Sequence, residues 1–278
     1  MKKYVKLLRV KHYVKNCLIY LAIFFSGNVR DISLFLKCTL GFISFCALSS
    51  GIYIYNDIQD YEKDRLHPLK KNRPIASGEI SKENAWVLFL VCIVLTYSLS
   101  YIISETYGFV CEAIYLILNL LYSRGLKNYP LIDIGILSSG FVIRVVYGGV
   151  ITDIKLSDWL ILVILSGALF MGFGKRKKEM DLNMNVRTVL GAYTDSFLNQ
   201  SVYVCLTLVI VFYSLWTTNI DNNRMIWTIP FIIFIVFRYS LDIEKNDNGD
   251  PVDVIFKDRV LIMIGLIYGA IMGVLLYQ

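Results

Sequence analysis

The feature that most constrains this chain is a series of long, continuously apolar segments spread along nearly its whole length. A hydrocarbon core about 30 Å thick needs ~20 apolar residues in a helix that crosses it. Nine segments approach that length: 17–30, 33–55, 84–103, 107–122, 131–150, 157–174, 200–220, 225–240 and 259–277. They are uninterrupted rather than alternating, which argues for helices and against barrel strands. Hydrophobic residues make up 56% of the 278, and because the excess is distributed it points to many spans rather than one anchor. The expected architecture is all-α: a polytopic membrane protein with nine transmembrane helices, forming a single integral membrane domain over 1–278. The apolar run at 17–25 is followed by no small-residue cleavage site, so no cleavable signal is expected.

A net charge of +6 raises the question of a nucleic-acid partner, and the distribution of the charge answers it. With the N-terminus inside, the inward segments 1–16, 56–83, 123–130, 174–199 and 238–259 hold 23 of the 28 Lys and Arg residues. The outward segments hold Arg30, Lys155 and Arg224 alone. That bias is a topology signal, with the N-terminus in and the C-terminus out, and no nucleic acid is required. The expected location is a cell (inner) membrane with the active site facing the cytoplasm. The two longest inward loops, 56–83 and 175–199, each follow an even-numbered span, which hints at duplication of a four-helix unit. All six cysteines lie in apolar runs and none forms a CxxC pair, so disulfide and zinc frameworks are excluded. With only His12 and His67 present, a histidine-based metal site or triad is not expected.

The second span ends in the stretch NDIQDYEKD. At 100° per residue, Asn56, Asp57, Asp60 and Asp64 fall at about 0°, 100°, 40° and 80°, on one face. Carboxylates held that close repel one another unless a cation lies among them. Mg²⁺ takes oxygen ligands and commonly bridges to substrate phosphates. The cluster therefore reads as a Mg²⁺–diphosphate site, with Asn56, Asp57, Asp60 and Asp64 as ligands and Asp57 and Asp60 at its catalytic centre. The basic run that follows, including Arg73, suits phosphate oxygens. Within the fifth span, Asp133 and Arg144 lie eleven residues apart, on nearly one face but about 16 Å apart along the axis. Ionisable groups inside a span are costly and mark function or a pairing. These two are too far apart to pair with each other; Glu112 and Asn119 are candidate partners.

The stretch NDIQDYEKD matches the NDxxDxxxD motif of the UbiA superfamily of intramembrane prenyltransferases at every defined position, and the following DRLHPLKKNRPIASGEIS resembles that family's loop. Tyr122 and Lys127, with Arg124 between them, resemble the family's Tyr…Lys element beside the diphosphate. Most members carry a second acidic DxxxD motif where this chain has GKRKKEMDL, so the corresponding i, i+4 pair is Lys175 and Glu179. This departure, together with RTVLGAYTDSFL and FRYSLDIEKNDNGDPVDVIFKDR, resembles the decaprenyl-phosphate phosphoribosyltransferase branch. LRVKHYVKNCLIY, which contains Lys15, resembles the opening RPxxWxKN of that branch without its Pro and Trp.

The resemblance implies a Mg²⁺-dependent enzyme that transfers phosphoribosyl from 5-phosphoribosyl 1-diphosphate to a polyprenyl phosphate. Lys15, Arg73, Tyr122, Lys127, Asp133, Arg144, Lys175, Arg176 and Glu179 are the candidate substrate-binding residues. A homo-oligomer is compatible with it. The alternative is a conventional member that moves a prenyl group from prenyl diphosphate to an aromatic acceptor, against which the Lys175/Glu179 pair stands. A transporter is disfavoured because the charges gather at the membrane rim rather than at the midplane. A scaffold gives the same-face acids no purpose.

Overall fold

Apolar segments that cannot reach water must satisfy their backbone groups internally, and helices do so within one segment. The computed structural model describes residues 2–67, 70–103, 105–182, 188–220, 222–245 and 251–277, and every regular element among them is helical. In chain order these are α1 (Lys2–Leu8), a 3₁₀ run (Val10–Tyr20), α2 (Leu21–Phe25), α3 (Ile32–Gln59), α4 (Tyr61–Leu66), α5 (Lys82–Ile103) and α6 (Thr106–Arg124). Then come α7 (Ile132–Thr152), α8 (Asp158–Asp181), α9 (Asp195–Thr218), α10 (Ile229–Lys245), α11 (Pro251–Lys257) and α12 (Arg259–Tyr277), with short 3₁₀ turns between some of them. Parts of three stretches used above lie outside the described residues: Pro68 and Leu69, Arg187, and 246–250.

Among the described residues eight helical segments are long and apolar enough to cross a membrane, where nine were expected. The exception is 17–30. There the chain forms the 3₁₀ run and the five-residue α2, then turns at Gly27 with a φ of 77°. A 3₁₀ helix rises about 2 Å per residue against 1.5 Å for an α-helix, so 10–25 reaches about 30 Å with few residues. Hydrophobicity alone does not distinguish the two helix types, which is why the segment read as one more span. Exposed apolar side chains on the long helices, such as Leu90 and Val94 of α5 and Met263 and Leu266 of α12, suit a lipid surround.

The chain divides into two compact units. The first holds 1–23, 28–127 and 143–155; the second holds 24–27, 128–142 and 156–278, so α7 contributes its start to the second and its end to the first. In the first unit Phe45, Leu48, Tyr115, Tyr147 and Ile151 form an apolar core with Ile19 and Ile23. A buried carboxylate is stapled into this unit: Ser44 of α3 and Ser100 of α5 donate to Glu112 of α6 at 2.6 and 2.5 Å. Such interhelical hydrogen bonds to small hydroxyls hold helices together where water offers no alternative. In the second unit Ile134, Phe170, Phe173, Leu198, Val202, Cys205 and Tyr239 form the principal core.

Gly148 sets the closest approach in the first unit. A Cβ there would lie 2.0 Å from the Ile19 carbonyl oxygen, a backbone atom that no rotamer change can move. Gly148→Ala is therefore expected to force the 3₁₀ run away from α7 and destabilise the protein by about 2–3 kcal/mol. Thermal unfolding in detergent checks this, and an unchanged melting temperature would contradict the packing.

Candidate active site

Asn56 and Asp57 occupy the last turn of α3, Asp60 ends it, and α4 follows at once with Asp64. Helical main-chain bonds cross the junction: the Asp60 N–H donates to Asn56 O at 2.9 Å and the Asp64 N–H to Asp60 O at 2.8 Å. Main-chain bonding thus continues through the motif, but its side chains divide between two sets of partners. Asp57 and Asp64 converge on one guanidinium: Arg73 Nη1 donates to Asp57 Oδ1 at 3.0 Å and to Asp64 Oδ2 at 2.6 Å. Arg9 Nη2 donates to the same Asp57 oxygen at 2.6 Å. Lys127 Nζ meets both oxygens of Asp60, at 2.6 and 2.8 Å. Ser123 Oγ donates to Asn56 Oδ1 at 3.2 Å.

Asp57 and Asp64 are buried, at 3% and 2% exposure, and carboxylates so enclosed require charge partners. Here Arg9 and Arg73 supply them. The donor set suits Mg²⁺, being entirely carboxylate and amide oxygen. Two carboxylates from successive helices already point at one cationic nitrogen. Among the described residues no three Asp, Glu, His or Cys side chains gather at one point; Asp57 and Asp64 form a pair, and Asp60 stands apart on Lys127. His67, in the loop after α4, has its pKa lowered by burial and then by the charge of Lys70.

The remaining candidates of the first unit lie elsewhere. Arg144 is buried; its Nε donates to Asn16 Oδ1 and its Nη2 to the Tyr115 hydroxyl, both at 2.7 Å. Its guanidinium also lies over the Tyr115 ring, 4.7 Å from the centroid. Asn16 and Tyr115, rather than Glu112 or Asn119, are thus partners of this intramembrane cation. Glu112 serves the two serines, and Asn119 donates to the Tyr115 carbonyl at 2.8 Å. Lys15 and Tyr122 are both half-buried. Arg124 donates through Nε to the Tyr55 hydroxyl at 3.0 Å.

In the second unit a separate charged cluster forms. Arg176 is fully buried and donates through Nε to Asp133 Oδ2 at 2.6 Å and through Nη1 to Glu179 Oε2 at 2.7 Å. Glu179 thus pairs with Arg176, three residues earlier, and Lys175 is half-buried. Tyr193 donates to Asp133 Oδ1 at 2.8 Å and accepts from the Leu131 N–H at 2.7 Å. Burial above all, with help from Asp133, pushes the Tyr193 phenol up to about 12, so it remains a proton donor at neutral pH. Farther along, Arg238 Nε meets Asp258 Oδ2 at 2.5 Å, and Asp258 Oδ1 caps α12 through the Val260 and Leu261 N–H groups.

Sequence reasoning missed Arg9, Ser123 and Tyr193. Arg9 is the Arg of the LRVKHYVKN stretch and Tyr193 lies within RTVLGAYTDSFL, so each had a local signal without an assigned partner. Ser123 had none beyond its place between Tyr122 and Arg124.

Comparison with known proteins fits these features. The chain is 35% identical to decaprenyl-phosphate phosphoribosyltransferase of Mycolicibacterium smegmatis, over 98% of this chain and 92% of that protein. It is 34% identical to the protein of the same name from Mycobacterium tuberculosis H37Rv, over 97% and 92% respectively. A solved UbiA homologue from Archaeoglobus fulgidus, bound to GPP and Mg²⁺, superposes with a TM-score of 0.76 over 99% of both chains at 18% identity, a likeness of fold. The family model for the UbiA prenyltransferase family matches 17–258. With its eight apolar helical segments, this is a multi-pass membrane protein. The chain belongs to the UbiA prenyltransferase family.

Proposed function

We propose that the chain transfers phosphoribosyl from 5-phosphoribosyl 1-diphosphate to a polyprenyl phosphate of decaprenyl type, releasing diphosphate at the cytoplasmic face of a cell membrane. The observation that carries this reading is the convergence of Asp57 and Asp64 on one cation, with Arg9, Arg73 and Lys127 completing an alternation of charges. That alternation suits a metal-bound diphosphate: carboxylates for the metal, cations for the phosphoryl oxygens. The relatives named above lend the substrate class.

Asn56, Asp57, Asp60 and Asp64 would hold Mg²⁺, which when bound neutralises charge on the diphosphate. Arg73 and Lys127 remain partly exposed, at 25% and 16%, so their further N–H donors can reach phosphate oxygens. Lys175, in the second unit, is a further candidate for binding substrate phosphate. Buried Arg176, with Asp133 and Glu179, fixes the end of α8 that carries Lys175. Lys15, Tyr122 and Arg144 complete the proposed substrate set, Arg144 by holding the 3₁₀ run through Asn16. The C1–O bond breaks with its electron pair leaving on the diphosphate, and a lipid phosphate oxygen forms the new bond to C1. That oxygen is anionic at pH 7, so no general base is required.

The test is direct. Full-length protein in detergent is incubated with Mg²⁺, labelled 5-phosphoribosyl 1-diphosphate and polyprenyl phosphate, and the lipid is extracted. Label in the organic phase, abolished by a chelator, is the expected result. No transferred label, together with prenylation of an aromatic acid from prenyl diphosphate, would overturn it.

A further inference from the structure

Arg9 reaches the acids through an unusual piece of backbone. Its φ and ψ are 51° and 47°, left-handed values that cost energy for any residue with a side chain. Contacts hold the bend: Ser50 Oγ donates to Leu8 O at 2.9 Å, Lys6 Nζ to Asn72 O at 2.5 Å and Lys3 Nζ to Glu79 O at 3.0 Å. Two of these tie α1 to the segment around Arg73. The Arg9 guanidinium lies 4.6 Å from the Tyr53 ring centroid and 2.6 Å from Asp57 Oδ1, while its side chain stays 22% exposed. Backbone strain maintained by surrounding contacts is characteristic of functional positions.

Arg9 and Arg73 both donate to the same oxygen of Asp57. A divalent cation that ligates this oxygen must take the place of at least one of those bonds. Arg73 is anchored by its second bond to Asp64, a carboxylate, whereas the second contact of Arg9 is the weaker one to the Tyr53 ring face. We propose that Arg9 is the resident counter-ion of the metal site: it competes with the divalent cation for Asp57 and, once displaced, donates to the diphosphate. This rests on the metal reading above and adds a consequence that reading lacks. Removal of the guanidinium must strengthen metal binding and weaken diphosphate binding.

The test uses full-length protein in detergent. Mn²⁺ binding is measured by electron paramagnetic resonance without substrate, and inorganic pyrophosphate binding by calorimetry at saturating Mn²⁺. In Arg9→Gly, which adopts the left-handed bend freely, the Mn²⁺ Kd is expected to fall about tenfold and the pyrophosphate Kd to rise about tenfold, the scale of one charge-assisted hydrogen bond. Arg9→Asn, which also tolerates the bend, is expected to show the same signs, and Arg9→Lys smaller shifts of both. A purely structural role would weaken both affinities together. An unchanged or raised Mn²⁺ Kd in Arg9→Gly and Arg9→Asn overturns the proposal. Asp57→Asn separates the two failures: if it loses Mn²⁺ while the Arg9 variants do not respond, Arg9 alone is misassigned. If no variant responds, the metal reading falls and this proposal with it.

Discussion

Asp57→Asn and Asp60→Asn are each expected to lower phosphoribosyl transfer about a thousandfold, the scale seen when a principal electrostatic contact to a developing charge is lost. The two substitutions act through different partners. At Asp57 the amide cannot balance Arg9 and Arg73, and the carboxylate pair with Asp64 is broken. At Asp60 the substitution frees Lys127, which holds both carboxylate oxygens. Stability is expected to change by only about 1 kcal/mol, because the cations left behind are partly exposed and water can solvate them. Activity and melting temperature should therefore separate, with transfer lost in a protein that still unfolds near the wild-type temperature. Labelled-lipid extraction beside thermal unfolding in detergent measures both. Full activity in both variants would remove Asp57 and Asp60 from the chemistry.

The acid motif was legible because it depends on a local rule. Four oxygen-bearing side chains within nine residues of a helical pattern are expected on one arc, and i→i+4 main-chain bonds do cross the α3–α4 junction. The division of that arc was not legible. Asp57 and Asp64, near 80–100°, turn to Arg9 and Arg73; Asn56 and Asp60, near 0–40°, turn to Ser123 and Lys127. Which cations arrive depends on contacts separated by up to 67 positions, and helical phase carries no information about those. The same limit explains Arg144. The sequence showed a costly intramembrane cation, but its partner Asn16 is 128 positions away and lies in a 3₁₀ run that hydrophobic patterning cannot identify. The eight long spans needed no such long-range knowledge, since apolar length alone required them. At the end of α8, i, i+3 and i, i+4 neighbours are almost equally close on a helix. The family pattern marked Lys175 and Glu179, and helical phase alone did not show that the buried Arg176 also reaches Glu179.

Arg176→Met is expected to destabilise the protein by about 3–5 kcal/mol, the cost of leaving a buried charge without its partner. The burden falls unequally on the two carboxylates. Glu179 retains 13% side-chain exposure and can recruit water, whereas Asp133 is fully enclosed and would keep the neutral Tyr193 hydroxyl. Asp133→Asn combined with Arg176→Met removes both buried charges and should recover a large part of the loss, because an apolar or neutral replacement of a whole buried pair is often close to neutral. Arg176→Lys should recover little: a single ammonium lacks the fork that meets Asp133 through Nε and Glu179 through Nη1. Chemical unfolding of the single and double variants in detergent provides the comparison. A double variant no more stable than Arg176→Met would show that shape and packing, rather than an uncompensated Asp133 charge, make Arg176 indispensable. The order wild type, double variant, Arg176→Met places the cost on Asp133.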